Sequence, residues 1–234
     1  QILNHEKDIG GRYSIFSNVG MVPAIIAGVD VRKVHEGALK EITYKNNEIY
    51  TTLPFFFRNQ NKDMTLTNSV VMTYSDALIY FGRWYLQLWS ESLGKEGKGI
   101  SATHSIGTTD QHSQLQLYLD GPKDKFFTFI TTDHSNKGLK INSEIMNKND
   151  LNYLADKKMG DLMYAEQQAT IDTFRHNNFS FREIYIPEIN EFNIGRLMAF
   201  SIMETIATCL FFEVNPFNQP AVEQGKILTK KYLS

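Results

Sequence analysis

Apolar positions along the chain recur either with helical spacing or in short unbroken runs, and the two patterns alternate. The segment from Ser17 to about Gly28 (SNVGMVPAIIAG) reads as a short apolar helix. Asp30 then stands as an N-cap for VRKVHEGALKEITY, in which Val31, Val34, Ala38, Leu39 and Ile42 form one face. From Thr65 to Thr73 the run TLTNSVVMT is short and rich in β-branched residues, which predicts a strand buried on both faces. Tyr74-Ser75-Asp76 leads into a long helix with Leu78, Phe81, Tyr85 and Leu88 as its core stripe. The glycine-rich stretch Gly94-Lys95-Glu96-Gly97-Lys98-Gly99 and a second polar loop precede a helix from Asp110 through Leu119. Phe126 to Thr132 predicts a strand, Asn149 to about His176 a long helix carrying Leu151, Leu154, Met159, Leu162 and Ala165, and Phe181 to Ile186 another strand. The chain is helical again from Asn193, Asn215-Pro216 ends that helix, and Pro220 takes the first position of a last helix to about Leu233.

Strands alternating with helices of ten residues or more imply βαβ units, hence an α/β fold with a mostly parallel sheet covered by helices on both faces. A chain of 234 residues, 42% of them apolar, buries a sizeable core, and one compact domain is the simplest organisation. Charge narrows the partners. With 24 basic against 26 acidic residues the formal net is -2, which leaves no electrostatic footprint for nucleic acid or an acidic membrane. Cys209 is the only cysteine and lies in the apolar run Ile206 to Phe212, so a disulfide framework is excluded and a buried, reduced thiol of an intracellular protein is expected. The longest apolar stretch, Leu197 to Val214, is interrupted by Glu204 and hydroxyl residues and reads as a buried helix of a soluble protein.

Four clusters could carry chemistry: Gly10-Gly11-Arg12-Tyr13-Ser14, Gln87 with Glu91, Gly107-Thr108-Thr109-Asp110-Gln111-His112, and Asn215 to Pro220 with Lys226. Gln87 and Glu91 are four apart and share a helix face, where the glutamate is either a base at the rim of a cleft or a solvated carboxylate. Arg12 after a glycine turn reads singly as a surface arginine, and His112 near a helix start as part of a cap. Lys226 lies seven residues after Gln219, so the two face the same space if both are helical. The glycine stretch follows a helix and lacks a Ser or Thr after its lysine, which rules out a phosphate loop. The six histidines show no metal-ligand spacing, no serine-hydrolase elbow is present, and no cofactor or metal is implied.

Taken together and in this order, GGRYS, WYLQLWSESLGKEGKG, GTTDQHSQLQ and FNQPAVEQGK resemble motifs of the glucose-6-phosphate isomerase (phosphoglucose isomerase) family in its bacterial form, over residues 10 to 226. Asn218 and Ala221 depart from the residues the family often has there. The resemblance implies a three-layer αβα sandwich with a mostly parallel central sheet, of the sugar-isomerase (SIS) type. It implies interconversion of glucose 6-phosphate and fructose 6-phosphate through a cis-enediol(ate), with no metal or cofactor. Glu91 then matches the family's base, Arg12 the stabiliser of the oxyanion, and His112 and Lys226 the ring-opening pair. Gln87 and Gln219 match side chains lining the sugar and phosphate ends of the pocket. The resemblance further implies a cytoplasmic homodimer with composite active sites, the histidine reaching across from the neighbouring subunit. Family members are considerably longer, so this chain is expected to be the C-terminal portion, without the N-terminal SIS domain whose Ser/Thr-rich loop holds the substrate phosphate. The alternative is a non-catalytic sugar-phosphate-binding SIS module.

Overall fold

The computed structural model describes residues 2–44, 47–58, 66–148 and 151–234. A short 3-10 helix, Gly11–Phe16, is followed by α1 (Asn18–Ile26), α2 (Val31–Ile42) and α3 (Thr52–Arg58). Then come β1 (Asn68–Thr73), α4 (Ile79–Leu93), β2 (Ser101–Ile106), α5 (Thr109–Asp120), β3 (Lys125–Thr132), α6 (Ser143–Lys148) and α7 (Met159–His176). The chain closes with β4 (Phe181–Ile186), α8 (Glu191–Phe211) and α9 (Glu223–Leu233), the last preceded by a 3-10 turn, Pro220–Val222. The four strands form one sheet in the order β2-β1-β3-β4, and β3 pairs in parallel with both β1 and β4. The α/β class with a parallel sheet is therefore as the alternation of elements required.

The chain divides into two compact units, one of Gln1–Thr67, Arg83–Ala102 and Asn190–Ser234, the other of Asn68–Gly82 and Thr103–Ile189. In the second unit the core lies between the sheet and helices α5 and α7. Val70 and Met72 of β1, Phe127 and Phe129 of β3, Tyr118 of α5, and Ile171 and Phe174 of α7 are all buried there. Phe174 meets Phe127 and Phe129 edge-on, with ring centroids 4.6 and 5.1 Å away, the arrangement aromatic quadrupoles favour. The alternate residues of β1 and β3, among them Ser69, Val71, Thr73, Phe126, Thr128 and Ile130, are buried as well, so neither face of these strands meets solvent. At the sheet's end β4 turns polar: Arg182 Nε donates to Thr128 Oγ1 at 3.0 Å, and Thr131 Oγ1 to Glu183 Oε1 at 2.6 Å.

In the first unit α2 lies against α8 at glycine. A methyl group on Gly37 would stand 1.9 Å from the Phe192 carbonyl oxygen, and one on Gly195 would stand 2.0 Å from that of Val34, so no other residue allows this approach. Asp30 caps α2 by accepting from the amides of Arg32 and Lys33, as expected for an N-cap. Glu41 of α2 is buried, ion-paired with Arg196 of α8 at 2.9 Å, and its carbonyl accepts from the Tyr50 hydroxyl at 2.8 Å. Helix α8 is long and apolar enough to cross a membrane, but half of that stretch is buried inside the protein, with Ser201, Glu204, Thr205 and Thr208 among the buried residues. It is the core helix of its unit.

Four expectations are corrected. The polar loop before Thr109 contains strand β2. The helix expected from Asn149 begins at Met159; Asn149 itself, like Thr65 at the expected start of β1, lies outside the described residues. The buried face of α2 is Val34, Gly37 and Glu41, whereas Leu39 and Ile42 are 58% and 50% exposed and line an open groove of about 640 Å³ with Phe16, Ala38, Ile202 and Met203. Gln219 is not helical, since α9 starts at Glu223 after the turn opened by Pro220.

Burial also sets an alkaline limit. It pushes the phenols of Tyr50 and Tyr74 up to about 12 and the Cys209 thiol up to about 11, with the Glu41 carboxylate adding to the effect on Tyr50. Each proton is held more tightly folded than unfolded, where thiols and phenols titrate near ~8.5 and ~10. Their stabilising contribution is complete below those values and is lost as pH rises through about 11 and about 12. The urea midpoint is expected to fall steadily between pH ~9 and ~12; a midpoint unchanged across that window would contradict these burials.

Candidate active site

The site is built around one arginine. Gly10 and Gly11 lead into the 3-10 turn, in which the Tyr13 amide donates to the Gly10 carbonyl at 2.9 Å, and this tight start sends the Arg12 side chain inward. Arg12 is fully buried, and each of its five N–H groups has an acceptor. Nε donates to Ser92 Oγ at 2.9 Å, and Nη1 to Glu91 Oε2 at 3.1 Å and to Gln219 Oε1. Nη2 donates to the carbonyls of Pro216 and Asn218 at 2.7 and 3.1 Å. The guanidinium thus ties the C-terminal end of α4 to the segment between α8 and α9.

Glu91 is held at both oxygens, because Gln87 Nε2 donates to Oε1 at 3.1 Å while Arg12 occupies Oε2. The i, i+4 spacing on α4 creates the first contact and the arginine the second. This half-buried carboxylate forms part of the wall of a cavity of about 380 Å³, which Lys95, Asn215, Asn218 and Gln219 also line. A carboxylate kept beside a buried cation, with both oxygens fixed, has the geometry of a proton acceptor whose neighbour can neutralise developing negative charge.

Of the six residues expected from the sequence, the structure brings Arg12, Gln87, Glu91 and Gln219 together in the first unit. Lys226 is on α9 of the same unit, exposed, and its ammonium pairs with Glu223 Oε1 at 2.7 Å, not with Gln219 or Glu91. His112 belongs to the second unit, near the start of α5, where its amide donates to the Thr108 carbonyl at 3.2 Å and its side chain is exposed. Among the described residues no group of three or more His, Cys, Asp or Glu is placed to hold a metal ion.

Three further residues of the site lie in the quoted motifs but have no role assigned by the sequence reading. Ser92 accepts from Arg12, and its hydroxyl lies 2.8 Å from that of Tyr13. Tyr13 also donates to the Pro216 carbonyl at 3.2 Å, and burial raises its phenol although Ser92 and Arg12 act the other way. Lys95 donates to the Ser92 carbonyl at 2.7 Å and to that of Asn215, and its ammonium is pulled down first by burial and then by the Arg12 charge. The available signal was adjacency: each sits within four residues of Arg12 or Glu91.

Known proteins resemble the chain along nearly its whole length. The chain is 35% identical to a probable glucose-6-phosphate isomerase of Methanococcus maripaludis over 236 residues, covering 97% of this chain and 52% of that protein. It is 35% identical to the glucose-6-phosphate isomerase of Methanocaldococcus jannaschii over 233 residues, covering 96% and 56% of the two chains. The chain spans about half the length of the curated relatives it matches. A Thermus thermophilus crystal structure, solved as a hypothetical protein, superposes with a TM-score of 0.82 at 30% identity, covering 97% of this chain and 56% of that one. A glucose-6-phosphate isomerase structure from Chlamydia trachomatis shares the fold, with a TM-score of 0.76 at 21% identity over 98% of this chain and 48% of its own. The family model for phosphoglucose isomerase matches residues 1–234 throughout, and the chain belongs to that family.

Proposed function

We propose that this chain is the proton-transfer portion of a glucose-6-phosphate isomerase, acting without a metal on the open-chain sugar phosphate. The observation that carries this reading is Glu91, fixed between the Arg12 guanidinium and the Gln87 amide at the wall of a cavity. Glu91 removes the proton from C2 of the aldose. The C–H electrons form the C1–C2 double bond, and the carbonyl oxygen at C1 becomes the enediolate oxygen. After the hydroxyl proton has shifted from the C2 oxygen to the C1 oxygen, protonated Glu91 returns its proton to C1 and leaves the ketose. Arg12 stabilises the enediolate, since its fork is permanently charged and its buried setting strengthens the attraction to the new charge. All five of its N–H groups have protein acceptors, so the enediolate oxygen takes the place of Gln219 Oε1 on Nη1.

In the same reading His112 and Lys226 open the sugar ring, and Gln87 and Gln219 line its sugar and phosphate ends. The protein is a cytoplasmic homodimer in which His112 completes the partner's site. Residues outside these 234 hold the substrate phosphate, a division that fits the relatives' greater length. A module that only bound sugar phosphate would have little physical reason to retain both a base and an oxyanion partner. The test is conversion of fructose 6-phosphate to glucose 6-phosphate by the full-length protein, coupled to a glucose-6-phosphate dehydrogenase. Turnover is expected; sugar-phosphate binding without turnover would instead establish the module.

A further inference from the structure

The glycine-rich stretch rejected as a phosphate loop has a different use. Lys95 and Lys98 pair across a tight antiparallel turn, the Lys98 amide donating to the Lys95 carbonyl at 2.8 Å. The two central residues, Glu96 and Gly97, both lie at positive φ, 55° and 71°, as such two-residue turns require. The turn follows directly on α4 and holds Lys95 in a half-buried position against residue 215. Its ammonium bridges the Ser92 carbonyl at the end of α4 and the Asn215 carbonyl at the start of the segment leading to Gln219.

That segment has little backbone pairing of its own. Pro216 O accepts from Arg12 and Tyr13, Asn218 O from Arg12, and Asn215 O from Lys95, while the Phe217 amide turns back onto Asn215 Oδ1 at 2.8 Å. Side-chain donors from elsewhere in the first unit therefore decide where residues 215 to 219 lie. An ammonium placed near a buried guanidinium is electrostatically unfavourable, and burial and the Arg12 charge indeed disfavour its protonated form. Carbonyl oxygens at both ends of its reach offset that cost. This is the arrangement of a tether.

We infer that Lys95 is a positioning residue: by bridging the end of α4 to Asn215 it fixes the segment whose Pro216 and Asn218 carbonyls hold Arg12 beside Glu91. The inference rests on the isomerase reading for its catalytic consequence, and on contacts alone for the tether. In Lys95→Met of the full-length protein, amides of residues 215 to 222 are expected to exchange with solvent roughly 10-fold faster. kcat is expected to fall about 10- to 100-fold, because small displacements of positioning groups cost that much. KM should stay within about 3-fold, since the ammonium is engaged by the Ser92 and Asn215 carbonyls. Lys95→Arg, which keeps the charge and the donors, should restore both exchange and kcat to within about 3-fold of wild type. Lys98→Met, on the same turn, should leave both unchanged. Lys95→Gln, too short to span both carbonyls, carries the same expectation if the methionine variant does not fold. Wild-type exchange in the variant would overturn the tether, and faster exchange with full kcat would overturn the positioning role. The exchange measurement needs no substrate, so absence of isomerase activity in the wild type would count against the proposed function and leave the tether still decided.

Discussion

Glu91→Gln is expected to lower isomerisation by roughly 10²- to 10⁴-fold while binding of the sugar phosphate stays within about 3-fold. The substitution is nearly isosteric. Its amide oxygen can still accept from Arg12 Nη1, a contact of 3.1 Å in the native protein, so the guanidinium keeps its setting and the loop carbonyls keep theirs. What is lost is a group able to take a proton from carbon. The cost at the Gln87 side is one exchangeable hydrogen bond near the surface, worth about 0.5–1.5 kcal/mol at most, so the variant should unfold within a few degrees of wild type. Steady-state kcat together with calorimetric binding separates the outcomes: kcat within a few-fold of wild type would remove Glu91 as the base, and loss of binding in step with kcat would make it a binding residue.

Arg12→Lys is expected to damage stability and turnover together. Lysine offers three donors from one atom where arginine offers five from a planar fork, so at least two of the present acceptors lose their partner. The Pro216 carbonyl and Ser92 Oγ meet the guanidinium in a buried setting, where an unmatched group costs about 1–3 kcal/mol, and the Asn218 carbonyl meets it in a partly exposed one. A loss of roughly 2–5 kcal/mol in urea unfolding follows, and in the folded fraction kcat should drop by about 10²- to 10³-fold, as when one oxyanion donor is removed. Unchanged unfolding would mean that the five contacts do not hold the segment; unchanged kcat would mean that the charge on the enediolate is met elsewhere.

The contrast between β4 and β2 shows what the sequence made legible. FREIYI is rich in aromatic and β-branched residues and predicts its strand at both ends, whereas SATHSI has no apolar run to announce one. It is held in the sheet by polar side chains that each find a partner: Thr103 on Asn68 at 2.7 Å, His104 on Thr73 at 3.0 Å and Ser105 on Tyr118 at 2.7 Å. Hydropathy cannot register such satisfaction, because it depends on residues far away in the chain. The late start of α7 has a similar cause: Leu151 and Leu154 continue the helical spacing, but Asp161 turns back to accept from the Lys158 amide at 2.8 Å and begins the helix there. On α2 the glycines decide, since close approach of α8 buries Gly37 and Glu41 and leaves Leu39 and Ile42 outside.

At the site, the Gln87–Glu91 contact was readable from spacing alone. The surroundings of Arg12 were not, because two of its acceptors are main-chain carbonyls 204 and 206 residues away, and a carbonyl has no sequence signature. Resemblance supplied the residue identities, and the structure supplied the reason the arginine is buried and saturated.

The most direct test follows the proton itself. Glucose 6-phosphate deuterated at C2 is incubated with the full-length protein and with Glu91→Gln at equal occupancy, and the appearance of deuterium in water is measured. Washout in the wild type and retention of label in the variant are predicted, because Glu91 carries the proton between carbon and solvent. Equal washout from both would contradict the assignment of Glu91 as the base.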